Sequence, residues 1–374
     1  MAEMSPTLGG VISSKGDYVF GDGFTVTRRT RPGLSRRADV NYEIDENASE
    51  DYVNFIEERI CKLPHLLDTA KHMYDNRQKL GNSYLEIVLT SVAGKRYVKL
   101  VSHDAETVML ENTPEKNTAL VAEWSTRWLT RHEPRKTGVY PFFYEDDLGN
   151  FRSVIHIREP QANRPHYALQ PWHEAYYFVR NEIQLGYYTT NEYDEMFMGQ
   201  VFIETEGDDR NGDQVSAFSE FDFHLKQSFT NQGPKSKRKR VLHRQRLTGT
   251  AKTEVHEFKG NTNEKYHMGT MTIAEQQIFK VTKWHPILMN SVAGRLGASG
   301  EFSEILKAKY PTVILPEQTT YLMNPINEAL KVCEEWMGVT GFEDLNLGLP
   351  DISKHLDMLD PKTSSTAQTN QDAS

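Results

Sequence analysis

Between residues 83 and 230 the chain breaks into short runs rich in β-branched and aromatic residues, separated by polar turns. The runs are SYLEIVLTS, KRYVKLVS, ETVMLEN, ALVAEWSTRWLT, GVYPFFYE, FRSVIHIRE, EAYYFVRNEIQLGYY, EMFMGQVFIETE and AFSEFDFHLKQSF. Phe218, Phe221, Phe223 and Leu225 mostly alternate, as one face of a half-buried strand does. No amphipathic helix is interleaved with these runs, so a doubly wound parallel sheet is not the expectation. An antiparallel β-sandwich or barrel is, with a jelly roll among its forms.

Helical signals flank this block and make the class α+β. Val53, Ile56, Ile60 and Leu63 fall on one helical face, Pro64 interrupts it, and Leu66, Leu67, Ala70 and Met73 resume it until Gly81. Asn47 followed by Glu50 supplies the capping pattern at the start. Near the other end, Asn324-Pro325 opens a helix that Gly338 closes, with Ile326, Ala329, Leu330, Cys333 and Met337 inward. The run around Ile273, Gln277 and Lys280 fits helix or strand. At the start of the chain, DYVFGDGFTVTRRT places two short alternating segments about Gly21-Asp22-Gly23, the pattern of a hairpin or extended arm. The expected organisation is an arm over 1–46, a helical segment over 47–82, a β-rich core over 83–230, an exposed basic loop over 231–266, a mainly helical region over 267–359 and a polar, disordered tail over 360–374.

Composition narrows the function classes. Of 374 residues 38% are hydrophobic and 10% aromatic, enough to bury a substantial core through the large area of each aromatic ring. No run approaches the roughly 18 apolar residues a membrane helix needs, and the first residues have neither the basic start nor the apolar stretch of a secretory signal. Two cysteines, Cys61 and Cys333, exclude a disulfide framework or an all-cysteine zinc cluster. The expectation is a soluble intracellular protein without membrane contact and without a cofactor.

Charge is distributed unevenly. The net formal charge is −9, yet residues 233–246 carry Lys235, Lys237, Arg238, Lys239, Arg240, Arg244 and Arg246 and no acid, which leaves the remainder at −16. Arg28, Arg29, Arg31, Arg36 and Arg37 form a second basic cluster. Basic islands in an acidic chain point to local phosphate contacts. The run from Pro234 to Arg240 resembles a monopartite nuclear localisation signal, in which Lys235, Lys237, Arg238, Lys239 and Arg240 would engage importin; that resemblance implies synthesis in the cytoplasm and residence in the nucleus.

Other patterns carry less. Gly294-Arg-Leu-Gly297, followed by Ala-Ser-Gly300 and TVIL, is similar to the loop of KH-type RNA-binding domains, with Arg295 as the basic residue inside the turn; Gly300 departs from that pattern where an apolar anchor is usual. Asp209, Asn211, Asp213 and Glu220 have the spacing of an EF-hand loop, but Gln214 stands where its glycine belongs, and Asn211-Gly212 is a hairpin turn in its own right. His156, His166, His173 and Glu174 fit no metal-ligand spacing, and His103 and Asp104, being adjacent, point to opposite faces of a strand. Trp172, Tyr176, Tyr177, Phe178, Tyr187, Tyr188 and Tyr193 form an aromatic stretch suited to a β core, an interface or base stacking. Walker A, Rossmann and nucleophile-elbow patterns are absent, so enzymatic chemistry is not favoured and no catalytic residue stands out.

The β-rich body, arginine-bearing arm, exposed basic loop and polar tail together resemble, in organisation, viral coat or nucleocapsid proteins. What that resemblance implies is a non-enzymatic, self-assembling, nucleic-acid-associated protein: a homo-oligomer whose phosphate contacts come from the two basic clusters. A nuclear DNA- or RNA-binding regulator using the Gly294–Gly300 loop, and a metal-dependent enzyme on a β scaffold, are the alternatives.

Overall fold

The computed structural model describes residues 1–29, 42–44, 46–61, 65–111, 118–121, 135–194, 200–207, 242–247, 253–258, 264–289, 299–342 and 344–351. It divides into two compact units, one of Met1–Val179 with Glu275–Ser374 and the other of Arg180–Ala274.

In the larger unit the chain begins with helix α1 (Pro6–Phe20), which enters the stretch 17–30 where a hairpin or extended arm was expected. Ser5 caps it, its Oγ accepting from the Leu8 amide at 3.1 Å, and Pro6 sits at the first helical position, where its missing N–H costs nothing. Leu8, Val11, Ile12, Lys15 and Val19 recur at helical spacing and are all buried. Gly21 follows as the turn, and only then does strand β1 (Thr25–Arg29) form, paired antiparallel with β2 (Tyr42–Ile44) and with β13 (Leu345–Gly348).

Helices α2 (Glu46–Arg59) and α3 (Leu66–Leu80) flank Pro64 as the pattern requires. Ile56, Ile60, Leu66, Ala70 and Met73 are buried. Gly81 ends α3 at φ +80°, and a Cβ there would lie 2.4 Å from the Leu169 carbonyl oxygen, so only glycine serves.

A mixed sheet follows, in the order β4 (Lys95–His103), β3 (Asn82–Val92), β9 (Phe151–Arg158), β7 (Arg135–Val139), β6 (Thr118–Val121), β5 (Val108–Leu110), with β8 (Tyr144–Glu145) also on β9. All pairs are antiparallel except β7 with β9, which run parallel. Among the described residues no closed barrel is found; the fold is mixed α/β with antiparallel and mixed sheets, which corrects the barrel among the forms expected from the sequence. Strand alternation sorts β3 cleanly. Leu85, Ile87 and Leu89 share one face with Val98 and Leu100 of β4, and α3 and the later helix α7 (Asn324–Met337) pack against these two strands. Each such side chain contributes about 1.5–3 kcal/mol on burial. On the other face Tyr84 joins Val108, Ala119 and Val154 in a second cluster.

Helical backbone runs from Ser299 to Met337: α6 (Ser299–Lys309), wide π-type turns at Tyr310–Ile314 and Glu317–Met323, then α7. Pro311, Pro316 and Pro325 each withhold an N–H from this run, which is the physical reason the helix widens rather than continuing regularly. Pro325 near the start and Gly338 (φ +69°) past the end of α7 match the sequence reading, as do buried Ile326, Ala329, Leu330 and Cys333. The TVIL run is helical.

The EAYYFVRNEIQLGYY segment is another departure: it forms α4 (Tyr176–Asp194), a helix where a strand was expected. In the smaller unit β10 (Gln200–Gly207) lies between β11 (Leu242–Leu247), parallel to it, and β12 (Thr253–Phe258), antiparallel. Strands β11 and β12 fall where an exposed basic loop was expected. Helix α5 (Glu264–Thr282) settles the run around Ile273, Gln277 and Lys280 as helix.

Candidate functional site

Two places in the larger unit gather charge and chemistry. The first is one end of the mixed sheet. Glu86 is 1% exposed on β3, on the face opposite the helices. Register brings three basic side chains to it from separate strands: His103 Nε2 lies 2.8 Å from Oε2, Arg135 Nη2 donates to Oε2 at 2.9 Å, and Arg152 Nη1 reaches Oε1 at 3.5 Å. Burial alone would raise the Glu86 pKa; the hydrogen bond with His103 and the charges of Arg135 and Arg152 outweigh it and hold the carboxyl below its ordinary range. Arg152 Nε also donates to Asp146 at 2.7 Å. Asp146 in turn accepts from the Leu148 amide at 3.0 Å and the Asn150 amide at 2.9 Å, closing the β8–β9 turn. Burial opposes its ionised form slightly, and these bonds from Asn150, Arg152 and Leu148 hold its pKa far below the usual carboxylate range.

This network fixes what projects beyond it. The last β3–β9 pair is Leu89 with Phe151, while β3 and β4 stay paired out to Val92 with Lys95, so the β3–β4 hairpin overhangs its sheet. Val92 is 57% exposed, Tyr97 53% and Leu148, in the neighbouring turn, 85%. Lys95, Arg96 and Lys99 are exposed along β4, which among the described residues is paired only through β3. Arg96 also donates from Nη1 to the Trp336 carbonyl at 2.8 Å, tying the hairpin to α7.

The second place is a cavity of about 330 Å³ lined from α1, α3, the loop 170–174, residues 281–283 and the wide turns before α7. In its wall Arg77 Nη1 donates to both carboxylate oxygens of Glu317, and the guanidinium sits 3.5 Å from the Tyr321 ring centre. Lys15 is 7% exposed; its Nζ donates to the Thr282 carbonyl at 2.7 Å and lies 5.8 Å from the Trp284 ring centre. Burial lowers the Lys15 pKa to about 8; Glu317 opposes this, and Arg77, Lys283 and Lys309 add to it.

Few of the residues singled out in the sequence meet here. Arg28 and Arg29 lie on β1, opposite Glu43 and Tyr42 of β2 in register. Arg244 and Arg246 lie on β11 opposite Glu204 and Glu206 of β10 in register. Arg31, Arg36, Arg37, Lys235, Lys237, Arg238, Lys239, Arg240 and Arg295 lie outside the described residues, as do the Asp209–Glu220 and Gly294–Gly297 patterns. His156 stacks on Tyr84 at 4.6 Å and pairs with Asn82 at 3.2 Å, and burial lowers its pKa to about 4. Among the described residues no three His, Cys, Asp or Glu are grouped to hold a metal. His103 and Asp104 do point apart, one to Glu86 and the other to His72 at 2.9 Å. Burial pushes the Cys61 thiol up to about 12 and raises that of Cys333, which suits packing and not nucleophilic chemistry. Sequence reading missed Glu86 and Lys15; the one available signal was an acid or a lysine standing at an inward position of an apolar period.

No family model matches the chain, and no curated protein does. Among solved structures it is similar to a chain in the neck of an empty GTA particle computed with C6 symmetry, at 14% identity over 98% of this chain and 84% of that one, with a TM-score of 0.47. It is similar also to a chain of the virion of a native gene transfer agent (GTA) particle, at 14% identity over 99% and 84%, TM-score 0.48. A third, in the neck of a native GTA particle computed with C12 symmetry, is 13% identical over 94% and 82%, TM-score 0.48. These neighbours are components of multi-subunit particles. The nuclear location expected from Pro234–Arg240 is not upheld, and that segment lies outside the described residues.

Proposed function

We propose that the chain is a non-enzymatic structural subunit that associates with further copies of itself in a particle containing nucleic acid. The observation that supports this best is the overhanging end of the mixed sheet, where exposed Val92, Tyr97 and Leu148 project from a base held by Glu86, Arg152 and Asp146. Apolar side chains presented on a rigid support suit a repeated contact between copies. Lys95 and Lys99 guard the β4 edge against indiscriminate strand pairing, so the apolar tip, and not the edge, is the contact offered. Phosphates would be met by Arg28, Arg29, Arg31, Arg36, Arg37 and the 235–246 cluster through charge neutralisation, without base reading.

Light scattering on the chromatographed protein, with the 260/280 nm ratio recorded before and after nuclease, tests the proposal. Large oligomers that carry nuclease-sensitive absorbance support it. A nucleic-acid-free 43 kDa monomer at high concentration would sink it.

A further inference from the structure

The cavity beside α1 has a function that self-association does not require. We propose that it binds a small organic oxyanion of the phosphate class, with the Lys15 ammonium as the central contact. The volume of about 330 Å³ falls within the usual range for small-molecule sites, far more than a bare inorganic ion fills. Its wall is mixed in the way such sites are: Leu8, Val11 and Trp172 supply apolar surface, and Lys15, Lys283 and Arg77 supply cations.

Unmet donors are what select an anion. Arg77, Lys283 and Lys309 repel the Lys15 charge and Glu317 attracts it. Glu317 is itself committed to Arg77, whose Nη1 donates to both of its carboxylate oxygens. Among the described residues the only hydrogen-bond acceptor of Lys15 is the Thr282 carbonyl, so an ammonium with three donors makes one bond while almost wholly buried. A buried charge served so poorly is costly unless something else completes it. Two further donors in wall residues, Arg77 Nε and Gln78 Nε2, are buried without a hydrogen-bond partner. An oxyanion entering beside Lys15 would give acceptors to its unused N–H donors. Glu159 and Glu174 also line the cavity and, with Glu317, match its three cations in number; Glu159 Oε2 stands 4.0 Å from Arg77 Nη2, so Arg77 is held by carboxylates and Lys15 is the cation left to the anion.

The test uses the full chain and labels its lysines by reductive methylation, followed by peptide mass spectrometry. Phenyl phosphate and inorganic phosphate are compared with chloride at equal ionic strength. The expected result is that phenyl phosphate slows labelling of Lys15 at least about threefold by mass action while exposed Lys71, Lys95 and Lys99 are unaffected. Protection by inorganic phosphate as well supports the same site and assigns recognition to the oxyanion. Equal slowing at all lysines, no slowing, or no labelling of Lys15 in any condition overturns the proposal. Independently, phenyl phosphate should raise the melting temperature of the wild-type chain and not that of Lys15→Met; an equal rise in both overturns it. Labelling of the wild type keeps the test decisive if the variant does not fold.

Discussion

Glu86 and Lys15 are both buried charges on regular elements, and their surroundings differ in kind. Glu86 is met by His103, Arg135 and Arg152, and the arrangement favours its ionised form despite burial. Lys15 has the Thr282 carbonyl as its one hydrogen-bond acceptor among the described residues, and burial disfavours its ionised form. A buried charge with a full complement of partners is a structural joint, and its removal strands the partners. A buried charge that is short of partners is maintained at a cost, which is the ordinary signature of a site awaiting a ligand.

The contrast can be broken most forcefully at Glu86. Glu86→Gln leaves two arginines facing a neutral amide and should destabilise the fold by about 3 kcal/mol or more in urea titration; a loss under about 0.5 kcal/mol would mean the network is ornamental. Acid should act likewise: the folded pKa is depressed, so the stabilisation is complete above the ordinary carboxylate value of 4.5 and disappears as pH falls through the lower folded value. Lys15 has the opposite behaviour. Its folded pKa of about 8 lies beneath the ordinary 10.5, so between these values the unfolded chain holds the extra proton and stability should rise with pH, by up to about 3 kcal/mol relative to Lys15→Met. A flat difference between the two proteins from pH 8 to 10.5 would show that Lys15 is not desolvated. At pH 7 the Lys15→Met change should itself fall within about 1 kcal/mol of wild type, because the lost hydrogen bond and the relieved burial of charge offset each other. Smallest of all is Leu148→Asp, which should alter stability by no more than about 0.5 kcal/mol yet reduce oligomer size in light scattering. Unchanged assembly would remove Leu148 from the contact between copies.

The parts of the fold legible in the sequence are those with local punctuation. Helices α3 and α7 were bounded by proline and glycine, and β3, β4, β9 and β10 by turns between alternating runs. Helix α1 was missed because Gly21-Asp22-Gly23 invited a hairpin reading, although Leu8, Val11, Ile12 and Val19 have helical spacing and are buried together. Helix α4 was missed because Tyr and Phe favour strands on average, a preference that packing overrides; Ala175 and Val179, four apart, are wholly buried at its start. The candidate sites were less legible still. His103, Arg135 and Arg152 stand 17, 49 and 66 residues from Glu86, and only strand register unites them. Lys15 sits in the polar string SSKGDY, and only its helical spacing from Leu8, Val11, Ile12 and Val19 distinguishes it from a solvated lysine. The basic clusters, by contrast, were plain in the sequence, and four of their residues lie on described strands.

The wide turns between Tyr310 and Met323 also set a phase. Each residue of a helix advances its side chain by about 100°, so removing one residue from these turns would rotate α7 by that angle relative to α6. Ile326, Ala329, Leu330 and Cys333 would then leave the sheet and carry Trp336 from Arg96. The segment is thus a length-sensitive gear, whose residue count matters apart from which side chains it carries.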